Sequence, residues 1–186
     1  MSSSSSVALP GHRTPAVGLE SPFAMLVACH ERVQRSLDLL ARLQQHLVDH
    51  GHDEDARQAA RDVLRYFDLA APLHHEDEEL HVFPPLLAGP DAGVHAAVHQ
   101  LQQDHLAMHA NWAAARLVLG SVAESPAGAG AALSAAQTDT LRRFVALYGQ
   151  HIATEEQIVY PAAQAALGAP AVQAMSQDMM RRRGVR

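Results

Sequence analysis

The chain has 186 residues and a formal net charge of -6, so it lacks the general basic field that would attract nucleic acid. Aromatic residues make up only 4% of it, and long alternations of β-branched residues are missing, which predicts an all-α protein of one domain. The single cysteine, Cys29, excludes an intramolecular disulfide framework. No apolar run reaches the roughly 18 residues that a membrane span needs, and no secretory signal is visible, so a cytoplasmic protein is expected.

The first helix is predicted to follow a polar N-terminal segment. Residues 1–19 (MSSSSSVALPGHRTPAVGL) are interrupted by proline and glycine and predict a disordered arm. Ser21 followed by Pro22 is typical of an N-cap with proline at the first helical position, and the apolar period predicts a helix to about Asp49. Its inward positions, which include one imidazole, are Leu26, His30, Val33, Leu37, Leu40, Gln44 and Leu47.

A second helix is predicted to begin at the acidic residues 53–55, which suit the positive end of a helix dipole, and to end at Phe83-Pro84-Pro85. Pro72 falls inside this helix and predicts a kink just before His74. The inward positions of the second helix are Ala56, Ala60, Val63, Phe67, Ala70, His74 and Glu78.

Two further helices complete the predicted fold. Gly89-Pro90-Asp91 predicts a turn before the third helix, and residues 121–133 (SVAESPAGAGAAL) predict a linker after it. Ser134 with Gln137 is typical of a capping box that starts the fourth helix. The inward positions are Val94, Val98, Leu101, His105, Met108 or His109, Trp112 and Leu119 in the third helix, and Leu141, Phe144, Tyr148, His151, Glu155, Ile158 and Ala162 in the fourth. These elements predict an up-down-up-down bundle over residues 20–168, followed by a tail or short helix at 169–186.

One motif occurs twice without a gap. Residues 74–84 read HHEDEELHVFP and residues 151–161 read HIATEEQIVYP, so both match H-x-x-x-E-E-x-x-x-[FY]-P. On a helix, residues four apart share one face, so His74 with Glu78, and His151 with Glu155, can each reach one metal centre. Both pairs lie on inward positions, where burying an ionisable side chain is costly unless it is paired or binds a metal.

The other helices add imidazoles to the same predicted interior. His30 lies on the first helix, and His105 and His109 are four residues apart on the third. Five imidazoles and two carboxylates suit a dinuclear site, because carboxylates can bridge two cations about 3.5 to 4 Å apart. Imidazole-rich ligation without thiolate favours iron, and zinc or manganese less so. The predicted metal ligands are His30, His74, Glu78, His105, His109, His151 and Glu155.

The remaining polar residues are assigned simpler roles. His75, Glu76, Asp77, Glu79 and Glu156 are predicted to form a solvated acidic surface, with an iron entry path as the alternative. Arg181 to Arg183 are predicted to form a solvated tail. His81 is predicted to pack at the end of the bundle or to lie just outside the ligands, and Tyr148 to be a core residue or a hydrogen-bond donor beside the metal. The other histidines, at positions 46, 50, 52, 95 and 99, are predicted to face water or to contribute a weak adventitious metal site.

These motifs resemble the hemerythrin and HHE cation-binding family over about residues 22–165. The resemblance rests on His30, the two H-x-x-x-E pairs with Phe83-Pro84 and Tyr160-Pro161 after them, and the H-x-x-x-H of 105–109. It implies two non-haem irons bridged by the carboxylates and an oxygen atom, with one position open to dioxygen, peroxide or nitric oxide. The spacing of four in the last pair is similar to the bacterial HHE proteins, whereas oxygen-carrying hemerythrins have five. Many HHE proteins have glutamate where this chain has His109.

Three functions remain open at this point. The leading hypothesis is a di-iron protein that binds or senses oxygen or nitric oxide, or handles iron under oxidative stress. The alternative is a di-iron enzyme that consumes peroxide or nitric oxide and uses a proton donor such as Tyr148. The third is a metal-free structural bundle. A monomer or weak homo-oligomer without a membrane partner is expected, and any signalling would need a separate protein partner.

Overall fold

The computed structural model describes residues 21–126 and 132–184, so the predicted arm at 1–19 and the middle of the predicted linker lie outside the described residues. The described residues are helical and contain no strand, which confirms the all-α class. The helices are α1 (Pro22–Asp49), α2 (Glu54–Asp77, continued by Glu78–Val82 and Phe83–Leu87), α3 (Ala92–Glu124), α4 (Ala135–Ala146, Tyr148–Thr154, Glu155–Val159 and Tyr160–Ala166) and α5 (Ala169–Arg182).

Side-chain caps explain where three of these helices begin. The Asp53 carboxylate accepts a hydrogen bond from the Ala56 N–H at 2.8 Å, and Asp91 caps α3 in the same way. The predicted capping box is confirmed, because Gln137 N–H donates to Ser134 Oγ while Ser134 N–H donates to Gln137 Oε1. Each cap satisfies an N–H that has no partner within its helix, which typically stabilises a helix by about 1 kcal/mol.

A wide π-type turn interrupts α2 and α4 at the same place in the two motif copies. The turns span Glu78–Val82 and Glu155–Val159, and the N–H groups of Phe83 and Tyr160 bond to the carbonyls five residues earlier. A proline follows each of these aromatic residues, and a proline ring would crowd the carbonyl four residues before it in a regular helix. The wider turn avoids this crowding. It contains one residue more than a regular α-helical turn, so the inward face moves by one residue after it.

The added residue changes which side chains face inward after each glutamate. In α4 the predicted inward residue Ile158 is 47% exposed, and Val159, Tyr160 and Ala163 are buried instead. In α2 the buried residues are Val82 and Phe83, so His81 does not continue the inward row. The predicted inward positions 158 and 162 are therefore wrong, because a regular period of 3.6 residues was carried through a π turn.

Two smaller predictions are corrected as well, and the environment of Pro72 is specified. Helix α3 extends to Glu124 because Val122 and Ala123 are buried in the core, so the predicted linker begins later. Ala71 is buried in place of Ala70. The helix continues through Pro72, whose exposed ring faces away from the core.

The helices pack in sequence order and enclose two apolar clusters. Helix α1 packs on α2, α2 on α3 and α3 on α4, while α5 packs against α1 and α2. One cluster lies towards the far end of α1 and contains Leu40, Phe67 and Phe144, and the other contains Phe23 and Phe83 together with Met175 and Met179 from α5. On each of α1 to α4 the buried histidines and glutamates stand between these two clusters. Within the described residues, no helix combines the length and apolar character needed to cross a membrane.

Candidate metal centre

Six of the seven predicted ligands meet in one buried layer across the bundle. All four helices contribute, and each of the six residues is at most 8% exposed. The motif explains this placement, because a spacing of four residues puts histidine and glutamate on one face just before the π turn. The six residues are His30, His74, Glu78, His105, His151 and Glu155.

One group of donors, which we call the His30 half, consists of His30, His74, Glu78 and Glu155. His30 Nε2 lies 3.1 Å from His74 Nε2 and 3.0 Å from Glu155 Oε2. His74 Nε2 lies 3.6 Å from Glu78 Oε1. All four residues are buried and present one donor atom within 4.8 Å of one another, so this group can hold a metal ion.

A second group, which we call the His105 half, consists of the imidazoles of His75, His105 and His151, likewise within 4.8 Å of one another. The same two carboxylates face it. His151 Nε2 lies 2.9 Å from Glu155 Oε1, and His105 Nε2 lies 3.5 Å from Glu78 Oε2. The His75 ring stacks on His105 with centroids 4.1 Å apart.

His75 enters the centre and His109 does not. His109 is exposed, because the buried row of α3 runs through Leu101, His105 and Met108 and turns away from the next residue. His75 was predicted to lie on the solvated surface, and its place among these imidazoles was not predicted. A signal was present, since the first motif copy reads His74-His75 where the second has isoleucine after its histidine.

Several buried donor atoms in this layer have no hydrogen-bond partner among the described residues. They are Glu78 Oε2, His105 Nε2, His151 Nε2 and both carboxylate oxygens of Glu155. A buried polar atom without a partner costs about 1–3 kcal/mol, and more when it is charged. These atoms converge with the spacing of metal ligands, so a cation would satisfy them together. The donor set therefore fits a metal ion.

Comparison with known proteins also indicates a cation-binding protein. Residues 21–175 match the hemerythrin HHE cation-binding domain. The chain belongs to this family. It is also 32% identical over 170 residues to an uncharacterized protein of Haemophilus influenzae, and the aligned region covers 89% of this chain and 91% of that protein. The protein is thus hemerythrin-like and cation-binding, and the buried layer contains the groups that can bind the cation.

In this HHE domain, acidic residues hold the outer nitrogens of the histidines. His30 Nδ1 lies 2.8 Å from Glu156 Oε1, and His105 Nδ1 lies 3.0 Å from Glu79 Oε1. His151 Nδ1 lies 3.4 Å from Asp104 Oδ2. A carboxylate on Nδ1 fixes the ring orientation and directs the Nε2 lone pair inward. Glu79 and Glu156 were predicted to be solvated surface residues, and their side chains are 37% and 39% exposed, but each also reaches a histidine on a neighbouring helix, which was not predicted.

The electrostatics of the metal-free HHE domain follow from burial and close charges. Burial and the neighbouring Glu155 charge raise the pKa of Glu78 to about 8. Burial also favours neutral Glu155, but the close imidazoles of His105, His151 and His30 favour its charged form more strongly and hold the pKa of that carboxyl well below its usual range. Burial opposes charge on His105, yet the nearby carboxylates of Glu155 and Glu78 raise its pKa to about 10. A bound cation would therefore have to displace protons from this layer.

A small pocket leads to the His105 half. Its volume is about 60 Å³, and it reaches His75 from a surface that includes Pro72 and His109. Tyr148 lines this pocket and packs against Phe67 and Phe144, and burial raises the pKa of its hydroxyl. The complete lining is Phe67, Ala71, Pro72, His75, Met108, His109, Trp112 and Tyr148.

The C-terminal arginines and His81 attach α5 to the bundle beside the metal centre. Arg182 and Arg183 both pair with the buried Asp77 carboxylate, which directly precedes Glu78. His81 Nε2 lies 2.8 Å from Asp178 on α5. The predicted solvated tail is wrong for these arginines, and Asp77 is not a surface residue.

The histidines away from the centre are mostly surface residues with local partners. His46 bonds to the Asp53 carboxylate, and His95 bonds to the Gly89 carbonyl. His50 is exposed as predicted, whereas His52, in the short connection between α1 and α2, is buried, so the prediction that it faces water is wrong.

Proposed function

We propose that the chain holds two non-haem iron ions, one in each half of the centre, with Glu78 and Glu155 as bridging ligands. The observation that carries this proposal is the orientation of the two carboxylates. Glu78 directs Oε1 towards His74 and Oε2 towards His105, at 3.6 and 3.5 Å. Glu155 directs Oε2 towards His30 and Oε1 towards His151, at 3.0 and 2.9 Å. A carboxylate with one oxygen in each of two donor groups can bridge two cations.

The donor chemistry supports iron as the metal. Imidazoles and carboxylates without a thiolate suit iron, and zinc or manganese next. The only cysteine, Cys29, is buried and lies outside both donor groups. With His75, His105 and His151 on one ion and His30 and His74 on the other, the two ions share five imidazoles unequally. A bridging oxygen atom would complete the pair and leave a position open to a small ligand.

The function that we propose is reversible binding or sensing of dioxygen or nitric oxide in the cytoplasm, or the handling of iron under oxidative stress. The pocket that reaches His75 supports a route by which a diatomic ligand enters the centre, because its volume of about 60 Å³ exceeds the space that one water molecule needs. Most of its lining is apolar, which favours uncharged gases over ions.

A di-iron enzyme that consumes peroxide or nitric oxide is the second candidate. It needs a proton donor near the open position. Tyr148 and His109, which both line the pocket, are the groups that favour it.

Metal analysis tests the di-iron proposal directly. Protein purified without an affinity tag and supplied with ferrous iron should retain two irons per chain, and fewer than about one would refute the site. His151→Ala and Glu155→Ala should each lose iron, because each removes a donor from the buried layer. His50→Ala should retain it, since His50 is exposed at the end of α1. Equal iron content in all three variants would contradict the ligand assignment.

Stopped-flow spectra separate the two candidate functions. The reduced, iron-loaded protein is mixed with oxygen and, separately, with an excess of peroxide. A stable adduct that reverses when oxygen is removed supports binding. Rapid consumption of many equivalents of peroxide supports the enzyme instead.

A further inference from the structure

Each motif copy places an aromatic ring against one histidine of the centre, His105 or His30. In the first copy Phe83 stacks on His105, with ring centroids 5.7 Å apart and an interplanar angle of 23°. In the second copy Tyr160 stacks on His30, with centroids 5.6 Å apart and an angle of 10°. Each aromatic residue directly follows the π turn of its copy, so the two rings hold equivalent places.

The equivalent places differ by one oxygen atom. The Tyr160 hydroxyl lies 3.2 Å from His30 Nε2 and donates a hydrogen bond to Glu78 Oε1, and the residue is only 3% exposed. In the His105 half, His75 is the donor without a counterpart in the second copy. Each half therefore has two histidines on different helices and one further group, the His75 imidazole in the His105 half and the Tyr160 hydroxyl in the His30 half.

The contacts of His30 indicate that several possible ligand atoms converge beside the Tyr160 hydroxyl. Because the Glu156 carboxylate occupies Nδ1, the ring proton belongs there and the Nε2 lone pair faces inward. His74 Nε2, Glu155 Oε2 and the Tyr160 oxygen lie 3.1, 3.0 and 3.2 Å from His30 Nε2. Adjacent ligands of an octahedral ion with bonds of about 2.1 Å lie about 3.0 Å apart. These separations are those of neighbouring ligands on one ion.

We propose that Tyr160 is a metal ligand, the third protein donor of the His30 half, through its phenolate oxygen. This rests on the di-iron proposal above. On binding a ferric ion the hydroxyl loses its proton to solvent and its oxygen joins the ion, with no change in oxidation state. A phenolate is a hard anionic donor, so it favours ferric over ferrous iron at this position. The two irons then differ, one with three imidazoles and the other with two imidazoles and a phenolate, so a small ligand at the second iron must displace the phenolate.

Ferric phenolates absorb visible light by charge transfer from the ring to the metal, which supplies a readout independent of activity. The iron-loaded, oxidised protein should show this band and the matching tyrosine ring vibrations in resonance Raman spectra. Tyr160→Phe should remove both, while Tyr66→Phe should keep them because Tyr66 bonds to the Cys29 carbonyl instead. Phenylalanine already occupies the equivalent place at Phe83, so Tyr160→Phe is expected to fold, and the melting temperature of the metal-free variant checks this.

The outcomes distinguish failure of the Tyr160 ligand from failure of the di-iron proposal. Wild-type protein that retains two irons but shows no phenolate band overturns the Tyr160 ligand and leaves the di-iron site intact. A band that survives in Tyr160→Phe also overturns it. If that variant fails to fold, ring-deuterated tyrosine in the wild type decides, because a phenolate ligand must shift the Raman lines. A chain that retains no iron refutes both proposals.

Discussion

Glu156 on α4 lies with its Oε1 atom 2.8 Å from Nδ1 of His30 on α1, so the residue after one buried glutamate orients a histidine on another helix. The first motif copy repeats the relationship, because Glu79 on α2 lies 3.0 Å from Nδ1 of His105 on α3. The second glutamate of the motif therefore connects neighbouring helices at the level of the centre, while the first points into it.

Glu156→Gln and Glu79→Gln should each weaken iron binding by about 10- to 100-fold, the usual cost of losing a carboxylate behind a metal-bound imidazole. Competition with a chelator of known affinity measures the change. Glu31→Gln is the matched control, because Glu31 is adjacent to His30 but its side chain is 58% exposed and pairs with Arg35 across 3.8 Å. An affinity loss in the control equal to that of Glu156→Gln would show that the effect is one of surface charge.

His75→Ala should lower the iron content of the His105 half, whereas His109→Ala should leave it unchanged. His75 stands within 4.8 Å of the donor atoms of His105 and His151, and His109 is exposed. Iron per chain and the optical spectrum of each variant provide the measurement. Loss of iron in His109→Ala with full retention in His75→Ala would restore the ligand set expected from the H-x-x-x-H spacing.

The fold and most of the donors could be predicted because their signals are local. Caps such as Ser134 with Gln137 mark helix starts, and the spacing of His74 to Glu78 and of His151 to Glu155 specifies a shared face. Which side chains face inward after each buried glutamate could not be predicted from a constant period of 3.6 residues. The π turns shift the inward face by one residue, and Pro84 and Pro161 were the available signs of that shift.

The side chains whose contacts with other helices were not predicted share a different cause. Glu79, Glu156 and Asp77 lie beside inward positions, so their helices alone place them at the edge of the buried face. Their partners, His105, His30 and the two arginines of α5, come from other helices. A pattern within one helix does not contain that information.

Stability of the metal-free protein should fall as the pH rises from 7 to 10. The folded pKa of Glu78 is raised from 4.5 to about 8, so its contribution is complete below pH 4.5 and is lost as the pH rises through 8. His105 is raised from 6.5 to about 10, so its contribution is complete below pH 6.5 and is lost through pH 10. Each group removes at most about 1.4 kcal/mol per pH unit in its window.

Thermal melts at several pH values, with and without iron, measure this dependence. The iron-loaded protein should be less sensitive between pH 7 and 10, because its ligands have already lost their protons. Iron binding near pH 7 should accordingly release protons, which calorimetry in buffers of different ionisation enthalpy detects. A metal-free melting temperature that rises towards pH 10 would contradict the assigned protonation states.

Asp77→Asn should destabilise the fold by about 2–3 kcal/mol while leaving every proposed iron ligand in place. Asp77 is fully buried, and its carboxylate pairs with Arg182 and Arg183, whose side chains are 16% and 18% exposed. Breaking a buried pair leaves its partner charges unmatched, although these arginines keep some access to water, so the loss should be below that of a fully enclosed pair. Denaturant unfolding measures this loss of stability.

Asp139→Asn is the control, because Asp139 pairs with Arg142 at the surface, and this variant should change stability by less than about 0.5 kcal/mol. Equal stability of the two variants would mean that α5 is not held to the bundle through Asp77.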